Sequence, residues 1–71
     1  MKFSSNPGSV IREHRTARGM TTVELAAQAG ISLRALNYIE SGATWPRLDT
    51  AARIAAALRI PVDALITEAA S

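Results

Sequence analysis

The chain has no cysteine and a single histidine among its 71 residues. Neither a disulfide nor a thiolate or His/Cys metal cluster can therefore brace it. The missing cysteine suits a reducing compartment, and a cytoplasmic location is the expectation. No apolar run approaches the ~20 residues that span a bilayer. The opening MKFSSNPGS lacks the apolar stretch of a secretory signal. The six carboxylates are scattered rather than paired, and no GxxxxGK spacing offers a phosphate loop. So short a chain also leaves little room for a deep substrate pocket. The expectation is a protein that is not an enzyme and that needs no cofactor and no metal.

Aromatic residues are scarce too, with one Phe, one Tyr and one Trp. Alanine-rich segments take their place, which favours an all-α packing in one small domain. A chain of this length buries only about 60% of its unfolded surface, so the core must be simple. The net charge of +2 is a weak pointer by itself, but it is unevenly spread. Residues 1–47 hold six cationic side chains against three anionic ones, whereas residues 48–71 hold two against three. The first two thirds are therefore basic and the last third slightly acidic.

Glycine and proline are few, and they act as punctuation. Residues 1–5 read as a flexible arm. Asn6-Pro7 reads as a helix start, with Asn as cap and Pro where its missing N–H costs nothing. The first helix runs to about Arg18 and stops at Gly19, with Val10, Ile11, His14 and Ala17 facing inward. Helices over about 22–29 and 33–41 follow, and Gly42 ends the latter. ATWPR forms a loop, because Pro46 disfavours helix at Trp45. LDTAARIAAALRI gives a fourth helix with Leu48, Ala51, Ala52, Ile54, Ala55 and Leu58 as its apolar stripe. Pro61 breaks that helix and can open a short fifth one, VDALI. Residues 6–67 thus form the domain, with 68–71 as a mobile tail.

TVELAAQAGISLRALNYIES, residues 22–41, carries the most information. Thr21 can cap a helix while Glu24 returns a bond to its backbone N–H, a capping box, with Met20 and Leu25 placed as a hydrophobic staple. Ala26 is small where two helices would cross. Gly30 falls where the chain must leave the helix left-handed. Ser32 offers a second cap, followed by Leu36 and Ile39 on one face. Two short capped helices, a tight glycine turn and a polar outer face on the second are what a major-groove reader requires.

Beyond that motif, IREHRTARGMT, ELAAQAGIS, ALNYIESG and WPRLDTAARIAAALRIPVDALI occur in order. With these spacings the chain resembles the lambda repressor/Cro-type, or XRE, helix-turn-helix family over roughly residues 8–67. The resemblance implies a compact five-helix lambda-repressor-like bundle, with helix 33–41 in the major groove and helix 22–29 across the DNA backbone. It implies base-reading positions at Leu33, Arg34, Asn37 and Tyr38. It also implies an ion pair between Arg15 and Glu40 that sets the angle between helices without touching DNA. Thr22 stands where the family has a phosphate-contacting glutamine of longer reach, and Ser32 joins it among the backbone contacts. His14 stands where leucine is usual and reads as a partly buried, satisfied side chain. Arg47 stands where a Ser or Thr cap is usual.

The chemistry of these side chains fits the implied roles. Arg34 can pair its planar fork with O6 and N7 of guanine, or meet a phosphate. Asn37 can make the two-bond contact to adenine, or be an ordinary surface residue. Tyr38 can reach a phosphate, meet a thymine methyl, or cover the flank of its own helix. Leu33 can touch a thymine methyl or simply be an exposed leucine. Gly42 N–H, Thr44, Trp45 and Arg47 can donate to phosphates, fixing register without reading sequence. Trp45 is expected to pack its ring on the core edge and leave its N–H free.

So small a reader covers few base pairs, which points to a homodimer on a palindromic operator. Val62, Leu65 and Ile66 are candidates for the dimer contact or for closing the monomer's own core. The leading expectation is thus a sequence-specific transcriptional regulator of double-stranded DNA, a repressor. The alternative is a protein-binding module, such as an antitoxin-type partner, on the same fold.

Overall fold

The computed structural model describes residues 7–65. The arm, the Asn6 cap, Ile66 and the tail lie outside the described residues. Four helices follow in chain order, α1 (Pro7–Ala17), α2 (Thr22–Ala29), α3 (Leu33–Ser41) and α4 (Leu48–Leu58). After Pro61 the chain is helical again at residues 63–65, the fifth helical segment. No strand occurs among the described residues, and the architecture is all-α.

Local chemistry explains where these helices start. Thr21 Oγ1 accepts from Glu24 N–H at 3.0 Å, and Glu24 Oε1 accepts from Thr21 N–H at 2.8 Å. This closes the capping box at the start of α2. Ser32 Oγ accepts from Ala35 N–H at 3.0 Å and caps α3 in the same way. Arg47 occupies the cap of α4 with no side-chain capping hydrogen bond.

All four helices end alike, with a residue in the left-handed conformation and two bonds back into the last turn. After α1, Met20 N–H reaches the Arg15 carbonyl at 3.1 Å and Gly19 N–H the Thr16 carbonyl at 3.0 Å. The same pair of bonds recurs after α2, α3 and α4, a Schellman motif each time. Three of these ends are glycines, at φ +70°, +72° and +83°, and the fourth is Arg59 at φ +60°. A Cβ on Gly30 would meet only Arg53 Nη1, at 3.8 Å. Backbone conformation rather than space therefore requires glycine there.

The core joins Val10 and Ile11 of α1, Leu25, Ala26 and Ala29 of α2, and Leu36 and Ile39 of α3. Ala51, Ile54, Ala55 and Leu58 of α4 and Leu65 complete it. Each large aliphatic side chain contributes about 1.5–3 kcal/mol by leaving water. α4 packs chiefly on α2, and α1 on α3. Met20 and Val62, both half-buried, pack against this core.

Three residues expected to face inward do not. Leu48 is 68% exposed. It opens α4, and helical side chains lean toward the N-terminus, over the preceding loop rather than the core. Ala52 is exposed because the buried set 51, 54, 55 and 58 already defines the inward stripe and 52 lies beside it. Ala17 is exposed in the last turn of α1. α4 also ends at Leu58 rather than Ile60, because Ile60 precedes Pro61 and is disfavoured from helical conformation.

Candidate nucleic-acid interface

α3 has nine residues and buries only Leu36 and Ile39. Its opposite face is therefore open, and Leu33, Arg34, Asn37, Tyr38 and Ser41 are all exposed there. No acidic side chain lies on that face. Glu40, the acid of this helix, turns aside to Arg15. The Arg15 Nε donates to Glu40 Oε2 at 2.8 Å and its Nη2 to Oε1 at 3.1 Å, a bidentate fork. Its remaining terminal nitrogen, Nη1, donates to the Met20 carbonyl at 2.9 Å. The side chains are only 13% and 9% exposed. One guanidinium thus ties α1 to the turn before α2 and to the end of α3. That tie fixes how α3 presents its outer face and keeps a negative charge off it.

On the outer face Arg34 and Tyr38 are a turn apart and touch. Arg34 Nε donates to the Tyr38 hydroxyl at 3.3 Å. The guanidinium carbon lies 5.7 Å from the ring centroid, near the outer limit of a cation–π contact. Leu33 and Tyr38 are 40% and 47% exposed, an apolar fringe around the polar pair.

The loop after α3 differs from expectation in two places. Gly42 N–H is already bonded within the helix cap, to the Ile39 and Tyr38 carbonyls, so it has no proton for a phosphate. The Trp45 ring is 58% exposed rather than packed on the core edge. More than half of the residue's surface is thus open to solvent. Thr44 and Arg47 are exposed. The Arg47 guanidinium lies 3.7 Å from Asp49 Oδ1, but with 88% and 64% exposure the pair holds Arg47 weakly. Thr22 is half-buried at the start of α2. Ser32 is exposed, and its hydroxyl proton is not used by the cap, in which the oxygen accepts.

Leu65 is 1% exposed inside the monomer's own core, so it is not available as a dimer contact. Val62 keeps part of its surface open. His14 is half-buried on α1, in line with the expectation of partial burial. The features not anticipated from sequence are the Arg34–Tyr38 contact, which its four-residue spacing could have signalled, and the exposed Val23 at 60%.

An open cleft of about 500 Å³ is lined by Gln28, Ala29, Arg53, Ala56, Ala57 and Arg59. It lies at the C-terminal ends of α2 and α4, where helix dipoles favour cations, so its two arginines have a structural reason to be there. Among the described residues no three metal-ligating side chains gather, and no helix is long and apolar enough to cross a membrane.

Two short helices set across a glycine turn, the second with an open cationic face, define a helix-turn-helix domain. A family model described as helix-turn-helix matches residues 11–65, from the core of α1 through Leu65. The chain belongs to the XRE-type helix-turn-helix family, and its class is that of DNA-binding regulators. No curated protein matches the sequence.

Proposed function

We propose that this regulator is a repressor that reads a specific DNA sequence with α3 in the major groove, as a homodimer on a palindromic operator. The observation that carries the reading is the acid-free outer face of α3, where Arg34 and Asn37 stand exposed one turn apart. Arg34 pairs with guanine and Asn37 with adenine, while Leu33 meets an adjoining base and Tyr38 stands beside Arg34. Thr22, Ser32, Thr44, Trp45 and Arg47 hold the phosphates and set the register. Two copies, with half-sites about 34 Å apart along one face of the duplex, extend a footprint that one copy is too small to make selective. Val62 and Ile66 contribute to the contact between copies.

A second reading draws on the exposed apolar side chains Val23, Trp45 and Leu48, which would suit a protein partner. The basic first two thirds of the chain favour DNA over that partner. Titration of duplex DNA at increasing salt separates the two. Phosphate neutralisation makes log K fall linearly with log salt, with a slope of about −0.9 per phosphate neutralised. A steep slope, with two copies bound per duplex in sedimentation, supports a dimeric DNA reader. Salt-insensitive or absent binding by the folded protein moves the assignment to the protein-binding module.

A further inference from the structure

We infer that Tyr38 is a positioning residue, which aims the Arg34 guanidinium end-on at a single base pair instead of reading a base itself. The inference rests on the proposed readout by Arg34. Arginine can approach the guanine edge in two ways, with Nε and one terminal nitrogen or with both terminal nitrogens. Here Nε donates to the Tyr38 hydroxyl at 3.3 Å. Neither terminal nitrogen has a protein partner among the described residues. Only the end-on approach leaves the tyrosine contact in place.

The aim has a fixed base. The Tyr38 carbonyl accepts from Ser41 Oγ at 2.9 Å, Ala43 N–H at 3.0 Å and Thr44 N–H at 3.4 Å. The residue that holds the arginine is thus anchored by the turn that ends α3. A free arginine loses much rotamer freedom on docking, and a contact formed before docking reduces that loss. The ring under the guanidinium also narrows its arc, since the carbon sits over it at 5.7 Å from the centroid. Both groups stand in water, so the hold is a bias rather than a lock, and a modest effect is expected.

The test is a double-mutant cycle on the full chain, with binding measured to duplexes that vary every base pair of the preferred site. Thermal melts accompany it to show that each variant is folded. Tyr38→Phe keeps the ring and removes the hydroxyl. It is expected to lower discrimination about two- to five-fold, at the same base pair where Arg34→Ala abolishes it and at no other. In the Arg34→Ala background Tyr38→Phe should change nothing. Uniform weakening by Tyr38→Phe in both backgrounds would make Tyr38 a phosphate contact and overturn the inference. An unchanged profile for Tyr38→Phe, with Arg34→Ala still relaxing one base pair, would overturn it and leave the Arg34 readout standing. Equal weakening of every duplex by Arg34→Ala would overturn both.

Discussion

At the scale of single residues, Arg15 bears the most. Its guanidinium makes three bonds to two other elements in a setting where water has little access. Arg15→Ala should cost at most about 3–5 kcal/mol, the figure for a fully buried pair, because Glu40 is left as a largely covered, unpaired charge. Pairing that change with Glu40→Leu should recover most of the loss, since apolar side chains can replace a buried ion pair at little net cost. Urea titration of both variants checks this, and a double variant no more stable than Arg15→Ala would contradict it. Arg47 is the opposite case, exposed and weakly held. Arg47→Ala should leave stability unchanged, weaken all duplexes alike and lower the salt slope by about one. The Arg15–Glu40 pairing was accessible from the family resemblance alone, because residues 25 positions apart give no local signal. The bond from Arg15 to the Met20 carbonyl was not accessible at all, since it depends on how the turn after α1 closes.

At the scale of elements, the helix boundaries follow from their caps. Thr21, Ser32, Gly19, Gly30 and Gly42 are legible in sequence because each residue type has one conformational or bonding property that suits a helix end. α4 lacks both signals, with Arg47 at its start and Arg59 at its end. Its end was therefore placed from Pro61, two residues late. The left-handed conformation costs a residue with a Cβ about 1–2 kcal/mol, and Arg59 adopts it because Ile60 cannot stay helical before Pro61. Arg59→Gly should therefore stabilise the domain by roughly 0.5–1 kcal/mol, part of the relief being lost to the greater freedom of glycine when unfolded. A higher melting temperature checks it, and a lower one would show that the Arg59 side chain contributes more than its backbone costs. Inward stripes were readable in the middle of the helices, Ala52 of α4 excepted, and failed at the ends. Ala17 and Leu48 sit in terminal turns, where periodicity continues but the core does not.

At the scale of the molecule, an economical core supports one open face. The large buried side chains are all aliphatic, and the outer face of α3 carries Arg34 with no acid beside it. The polar pattern of α3 made its outward face legible, because Leu36 and Ile39 fix which side is in. The state of the loop after α3 was not legible, since the sequence does not say that Gly42 N–H is taken by the cap or that Trp45 is more than half exposed. The claim that this face reads DNA sequence is tested most directly by selecting bound duplexes from a random pool at about physiological salt, where nonspecific binding is weak. Recovery of a two-fold symmetric site, with a guanine in each half that Arg34→Ala no longer selects, is the expected result. A folded protein that enriches no sequence would contradict the claim.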